Sequence, residues 1–300
     1  MKKKLLILLI IILCSVFFLT DCNSFNVEFQ NKSVDSVDLF RPLSKEKINE
    51  INLESNNFIS VFIKDEKEVI LSEKEINEQI AIASLTKLMT AVIVLDNYNL
   101  EDLISISDFA IDTYGTAGSL QTGELISIKD LLYITLIESS NDGAEALAEK
   151  MGRSTFIYKM NEKARNLEMK NTRFINPTGL DEESLTNFST ANDLKKLVVL
   201  ILNDYPLISK ILSLPEAEIT SYSGIYRKIN NTNVLLRESE VYLWGKTGYT
   251  QKANGCLILI LNNFSLNNDE GYVINIIAGA NDRFNEARKL EKWLEESFIW

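Results

Sequence analysis

Histidine is absent from the 300 residues of this chain. That absence removes a Ser-His-Asp triad, a Cys-His pair and every histidine-based metal site, so a serine nucleophile here has to take its base from another residue type. Cysteine is scarce. Of three residues, Cys14 and Cys22 lie in the N-terminal leader and only Cys256 lies in the body of the chain. A disulfide framework is therefore excluded, and Cys256, inside the apolar run GCLILIL, reads as a small buried strand residue. Basic residues are outnumbered, with 31 Lys and Arg against 42 Asp and Glu for a net charge of −11. No basic stripe follows residue 4, so a nucleic-acid partner is not expected, because phosphate neutralisation needs Lys and Arg gathered on one face. With only 4 prolines and 12 glycines but 46% hydrophobic residues, the chain has the make-up of one sizeable globular domain or two small ones.

What is present begins with MKKKLLILLIIILCSVFFLTDCNS: lysines, an apolar run and a polar break, the pattern of an export signal. The run is short of the roughly 20 residues that span a bilayer comfortably. Residues 1–22 are therefore expected to be a cleaved signal peptide or an N-terminal membrane or lipid anchor. Cys22 in LTDC resembles a bacterial lipoprotein box, with Asp21 where a small residue is usual; lipidation there stands beside ordinary cleavage and an uncleaved anchor. Residues 23–43 are polar, Asn and Ser rich and weakly patterned, which predicts a linker. The remaining stretch, 44–300, is expected to be the folded domain, on the envelope or periplasmic side of the membrane.

Within that domain SKEKINEIN predicts a short helix capped by Ser44, and FISVFIKDEKEVILSE predicts a hairpin around its charged centre. From residue 84 to about 210 the spacing is helical, most clearly in SLTKLMTAVIVLDNY, IKDLLYITLIE, DGAEALAEKMG and TFIYKMNEKARNLEM. Strands return with VYLWGKTGY, CLILILNNF and YVINIIAGA, and FNEARKLEKWLEESF closes the chain as a helix with Phe284, Leu290, Trp293 and Leu294 available for one face. Two strands, a helical insertion, three strands and a helix make an α+β domain whose short connections predict an antiparallel sheet.

The run IAIASLTKLMTAVIVL sets Ser84 and Lys87 three residues apart where lysine is least often found. On a helix the two share a face one turn apart. Ser84 then stands at the helix N-terminus, where its own N–H lacks an intrahelical partner and can point at a developing oxyanion. A helix apolar nearly all round is a buried helix, and burial near positive charge turns a lysine into a base at neutral pH. Alone, the pair reads equally as a capping serine and a surface lysine, since Ser-x-x-Lys arises by chance about once or twice in a chain of this length. LIESSNDGAEALA sets Ser139 and Asn141 at a break between helices, as cleft residues or as a helix cap. LWGKTGYT sets Lys246, Thr247 and Gly248 on a strand beside a turn, as a carboxylate site or as a solvated strand end.

In order along the chain, Ser-x-x-Lys, Ser-x-Asn and Lys-Thr-Gly resemble the active-site signature of penicillin-recognising serine enzymes. With GSLQTGELISIKDLL, NPTGLD and NTNVLL added, the chain from about residue 57 to 297 resembles the low-molecular-mass penicillin-binding proteins, the D-alanyl-D-alanine carboxypeptidases. The resemblance implies a β-lactamase/transpeptidase-like α+β fold, with a five-stranded antiparallel sheet, a helical insertion and flanking terminal helices. It implies removal of the terminal D-alanine from peptidoglycan stem pentapeptides through an acyl-enzyme, with the stem peptide and β-lactam inhibitors as partners and neither cofactor nor metal. By the same resemblance Ser84 is the nucleophile and Lys87 its base. Ser139 relays the proton to the leaving amine, and Asn141 orients Lys87 and the substrate amide. The backbone N–H groups of Ser84 and Tyr249 form the oxyanion hole, and Lys246, Thr247 and Gly248 bind the substrate.

Three alternatives remain open. A D,D-endopeptidase uses the same site with a longer leaving group. A class A-like β-lactamase would deacylate with a glutamate, and Glu183 and Asn187 in EESLTN have a spacing reminiscent of its loop. A non-catalytic anchored envelope protein is the third, against which the intactness of all three motifs speaks. The closing helix is expected to complete the core, which leaves membrane attachment to the N-terminus. The proline common before the Ser-x-x-Lys block is absent from QIAIASLTK, a departure expected to touch turn rigidity more than chemistry.

Overall fold

A computed structural model describes residues 42–45, 50–64, 67–115, 119–261 and 271–299. Five strands form one antiparallel sheet: β1 (Asn57–Lys64), β2 (Lys67–Lys74), β3 (Tyr242–Thr250), β4 (Asn254–Leu261) and β5 (Tyr272–Ala280). Their spatial order is β3-β4-β5-β1-β2. The predicted hairpin is β1 and β2, paired from Phe58 opposite Lys74 to Lys64 opposite Lys67 with a register shift between Ser60 and Val61. β1 then pairs with β5, Ser60 opposite Asn275, so the two ends of the domain meet in mid-sheet and the helical block is inserted between them.

Both faces of this sheet are covered, and the strand sequences follow from that. Along β4, Cys256, Ile258 and Ile260 enter the core shared with the helical block, while Leu257, Leu259 and Leu261 enter a second core on the other face. β1 alternates in the same way, with Ile59, Val61 and Ile63 on one side and Phe58 and Phe62 on the other. A strand buried on both faces has no solvent side for polar residues, hence the unbroken CLILIL. β2 lies at the sheet edge and is largely exposed, with Lys67, Glu68, Glu73 and Lys74 along it; charged residues suit an edge that must not pair with another chain.

The first core holds the insertion. α1 (Thr86–Asn97) is buried at every position from Thr86 to Val94, as its all-round apolar sequence predicts. Around it stand α2 (Ile128–Ile137), α3 (Asn141–Glu149), α4 (Arg153–Asn166), α5 (Ala191–Asp204) and α6 (Pro206–Leu212). Several starts are written locally: the side chains of Ser127, Ser140 and Thr190 accept from the backbone N–H of Asp130, Gly143 and Asp193, as N-caps do. The second core is closed by α7 (Arg283–Ser297), capped by Asp282. Leu290 and Leu294 are fully buried against the sheet, and Trp293 meets Phe298 edge to face at 5.4 Å; Phe284 is at the margin of this core.

Leu43 and Ser44 pair with Ile299 and Phe298; the start of the helix expected after Ser44, residues 46–49, lies outside the described residues, and 50–56 carry no helix. One feature differs from the sequence reading: an unpredicted hairpin, Glu216–Thr220 with Tyr226–Asn230, follows α6. Its outward face carries Glu216, Glu218 and Lys228 while Ile219 and Ile229 are its buried aliphatics, too few to set up a visible alternation. The leader and most of the linker, including Cys14 and Cys22, lie outside the described residues, among which no helix is long and apolar enough to cross a membrane.

Because Leu290 fills the second core, Leu290→Ala is expected to cost about 2–5 kcal/mol, read as a lowered Tm. Leu290→Met is expected to cost under about 1.5 kcal/mol; equal losses from the two would show that Leu290 is not packed as described.

Candidate active site

The site lies where the insertion meets β3. Ile80 and Ala81 pair with Ser189 and Phe188, and the Ile82 N–H donates to Asn187 O, which fixes the approach to α1. Ala83 takes a left-handed φ of +45°, then a 3-10 turn over Ala83–Leu85 carries Ser84 into α1. Two glycines allow the surrounding backbone to close on this turn. A Cβ on Gly248 of β3 would stand 3.1 Å from the Ser84 nitrogen, and one on Gly179, at φ +88°, would overlap the Ala83 carbonyl. The Ser84 nitrogen thus lies close to β3, with Tyr249 next along that strand and 63% exposed.

Lys87 projects from the first turn of α1 and is fully buried. Its Nζ lies 2.9 Å from Ser84 Oγ, 2.7 Å from Asn141 Oδ1 and 2.8 Å from the Thr178 carbonyl oxygen. None of these partners is a carboxylate. Burial, and next the positive charge of Lys246, push the amine well below the usual lysine range, with Asp142 opposing. Asn141 opens α3, and its amide Nδ2 donates to the carbonyls of Tyr114 and Gly115. The side chain is therefore gripped at both ends, oxygen on the lysine and nitrogen on the loop.

Ser139 lies just before α3, at a left-handed φ of +64° that turns its hydroxyl toward β3. There Lys246 Nζ donates to Ser139 Oγ at 2.8 Å and to the Thr247 carbonyl at 3.0 Å. Lys246 is also buried, and burial followed by the charge of Arg283 lowers it to about 7. Thr247 Oγ1 is 2.6 Å from Thr232 Oγ1, which is presented by the NTN turn: Asn231 Oδ1 accepts from Asn233 N–H, and its Nδ2 donates to the carbonyls of Leu212 and Leu214. Gly245 is needed for the same packing, since a Cβ there would press on Asn233 Nδ2 and the Ile258 carbonyl.

Residues from the three motifs thus converge: Lys87 touches Ser84 and Asn141, Lys246 touches Ser139, and the charge of Lys246 acts on Lys87. Two groups were not anticipated. The Thr178 carbonyl is a backbone atom, and NPTGLD carries no signal of where it points. Arg283 is a lone arginine in GANDRF that only the docking of α7 brings beside β4, where it packs against Gly255. Of the glutamate-loop pair, Glu183 is exposed, while Asn187 is fully buried and hydrogen-bonded to Thr86 and Asn176. Cys256, opposite Gly248, is buried with its thiol pushed up to about 11 by burial, in keeping with a packing role.

Comparison with known proteins gives a match of residues 45–270 to the D-alanyl-D-alanine carboxypeptidase family. The D-alanyl-D-alanine endopeptidase of Pseudomonas aeruginosa is 36% identical over 228 residues, 72% of this chain and 70% of that protein. The D-alanyl-D-alanine carboxypeptidase DacF of Bacillus subtilis is 33% identical over 66% of this chain and 52% of that protein. Among solved structures, penicillin-binding protein D2 of Listeria monocytogenes with cefotaxime bound superposes with a TM-score of 0.70 at 26% identity, covering 82% of this chain and 98% of that one.

Since Lys246 depresses Lys87, replacing it with an uncharged side chain of similar length removes a repulsion that disfavours the Lys87 ammonium. Lys246→Met is therefore expected to move the Lys87 titration to higher pH, followed by NMR of isotopically labelled lysine side chains. An unmoved Lys87 titration would show that the two amines are not coupled.

Proposed function

The chain belongs to the D-alanyl-D-alanine carboxypeptidase family of serine peptidases, and on that premise we propose how its residues divide the work of removing the terminal D-alanine from a peptidoglycan stem pentapeptide. The observation that carries the reading is Lys87: a buried amine, depressed by burial and by a second lysine, with its nitrogen 2.9 Å from Ser84 Oγ. It is a base made without histidine.

The substrate's terminal carboxylate docks against Lys246 and Thr247, with Gly248 letting the peptide backbone lie close to β3. A carboxylate beside Lys246 favours its ammonium form, so binding draws a proton onto that lysine. Ser84 Oγ then attacks the carbonyl carbon of the penultimate D-alanine while its proton passes to Lys87 Nζ. The negative charge that develops on the carbonyl oxygen is met by the N–H groups of Ser84 and Tyr249. Such a donor is worth about 100- to 1000-fold in turnover. As the C–N bond breaks, the proton that Lys87 took from Ser84 passes by way of the Ser139 hydroxyl, held by Lys246, to the leaving D-alanine nitrogen, and Lys87 returns to the amine. Asn141 holds Lys87 and the substrate amide in line. Water then attacks the Ser84 ester with Lys87 again as base, releasing the shortened peptide. A β-lactam enters by the same attack, but its leaving nitrogen stays tethered to the acyl group and remains in the cleft.

A substrate of this kind lies outside the cytoplasmic membrane, which supports export of the domain 44–300 by the leader 1–22. Retention at the membrane by that leader or by a lipid on Cys22, through the linker 23–43, is part of the same proposal. The name of the Pseudomonas relative favours a second reading, a D,D-endopeptidase cleaving cross-links. The β-lactamase reading loses its motive, because the Glu183 carboxylate is exposed on its loop.

Intact-mass spectrometry after incubation with penicillin is expected to show one adduct on the wild type and none on Ser84→Ala, with D-alanine released from a stem pentapeptide by the wild type alone. Lys87→Ala is expected to lower acylation about 100- to 10,000-fold, and an undiminished rate would sink the assignment of Lys87 as base. Adduct formation with turnover of a cross-linked dimer but not of the pentapeptide would select the endopeptidase. No adduct at all would select the non-catalytic reading.

Acylation is expected to rise with pH as Lys87 passes from ammonium to amine. kcat/KM, which reports the free enzyme, is expected to turn down as pH rises through about 7, where the empty site loses the Lys246 charge. A kcat/KM rising without a turn to pH 9 would contradict this role for Lys246.

A further inference from the structure

The 176–179 turn makes more contact with the catalytic helix than packing alone requires. Three side chains at the start of α1 engage it or its tether. Lys87 donates to the Thr178 carbonyl at 2.8 Å, Thr90 Oγ1 donates to the Pro177 carbonyl at 2.7 Å, and Thr86 Oγ1 accepts from Asn187 Nδ2 at 2.9 Å. Asn187 in turn grips the turn from behind: its Nδ2 reaches the Asn176 carbonyl at 3.0 Å, and its Oδ1 accepts from Ile175 N–H at 2.7 Å. Asn176 folds the turn itself, its Oδ1 accepting from Gly179 N–H at 2.8 Å and from Thr178 Oγ1 at 3.1 Å. Thr86, Thr90, Asn176, Thr178 and Asn187 are all at most 2% exposed.

We propose that Asn187 and Thr90 are positioning residues for acylation, holding the Thr178 carbonyl against Lys87 so that the neutral amine can turn its lone pair only toward Ser84. This rests on the reading of Lys87 as the base. A neutral amine has two N–H donors and one lone pair, and Lys87 has three polar neighbours. Asn141 Oδ1 and the Thr178 carbonyl can only accept, whereas the Ser84 hydroxyl can donate. One assignment satisfies all three: an N–H to Asn141, an N–H to Thr178, and the Ser84 O–H donating to nitrogen. When Ser84 attacks, its proton moves along that existing hydrogen bond to nitrogen. The resulting ammonium has three N–H groups for the same three oxygens, so neither protonation state leaves a partner unmet. Without the Thr178 carbonyl in place, the amine can instead aim an N–H at Ser84 and its lone pair elsewhere, an arrangement that takes no proton.

Two variants loosen the carbonyl from opposite sides without touching Lys87 or Ser84. The test is the first-order acylation rate constant at saturating fluorescent penicillin, which does not depend on the fraction of protein that is active. Asn187→Ala and Thr90→Val are each expected to lower it about 10- to 100-fold, the scale of a misaligned reacting group, with the penicillin concentration at half-saturation unchanged. Thr90→Ser, which restores the hydroxyl, is expected to recover the rate. A merely structural role would lower the labelled amount and the Tm but leave the rate constant at the wild-type value, and that result overturns the proposal. If Asn187→Ala does not fold, Thr90→Val against Thr90→Ser decides. Lys87→Ala run in parallel separates the two readings: wild-type rates in the Asn187 and Thr90 variants alone reject the positioning role, whereas a wild-type rate in Lys87→Ala rejects the base itself.

Discussion

Two buried lysines that repel each other set the terms for the rest of this structure. On the proposed reading, a protein without histidine obtains a neutral-pH base by making an ammonium ion uncomfortable, and the available means are loss of water and a like charge nearby. Both act on Lys87, and the second acts through Lys246. The choice of hydrogen-bond partners is as telling as the burial. Several buried charges are matched by opposite charge: Arg227 lies against Glu124, the buried Glu145 against Arg153, and the buried Lys195 against Glu68. Lys87 is offered a hydroxyl, an amide oxygen and a backbone carbonyl instead. These satisfy its hydrogens without supplying the full negative charge that would hold it as a cation.

The fold is arranged to make that environment possible. A dry pocket for an amine needs walls that close on it, and here they are backbone walls. Gly248 lets β3 approach the Ser84 turn and Gly179 lets the 176–179 turn approach Ala83. The turn preceding Ser84 is itself in a left-handed conformation at Ala83, and Ser139 shares that feature across the cleft. Such backbone is sparsely populated for residues with a side chain and persists where the surroundings over-determine it. The sheet supplies the rigidity: β3 is held through β4, which is buried on both faces, and α7 packs over the far side.

How much of this could be read in the chain divides along physical lines. The hairpin of β1 and β2, the three late strands and the helical block were legible because each follows from apolar spacing over seven or more residues. Ser84 and Lys87 were legible as a pair because helical geometry puts i and i+3 on one face, but as a site only through Asn141 and Lys246 far along the chain. The hairpin at 216–230 was hidden because its two buried aliphatics leave no pattern. Thr178 was hidden for a deeper reason: its contribution is a carbonyl, which every residue owns. Arg283 was hidden because its place depends on the docking of a helix forty residues beyond Lys246 by rough count, a relation no local pattern records.

The two lysines have opposite duties, and their coupling reconciles them. In the proposed mechanism Lys87 works as an amine, while Lys246 binds a carboxylate best as an ammonium. Because the charge of Lys246 disfavours the ammonium of Lys87, a proton on Lys246 keeps Lys87 toward its amine form. Which lysine keeps that proton is then open to influence from the ligand. A carboxylate placed at Lys246 and Thr247 attracts it to Lys246, and the charge so fixed presses on Lys87 to stay neutral. On the proposed mechanism, binding the correct end of the peptide thus prepares the base. A peptide lacking a terminal carboxylate at that spot would have no means of doing so, and selectivity for a chain terminus and activation of the nucleophile would become one electrostatic event.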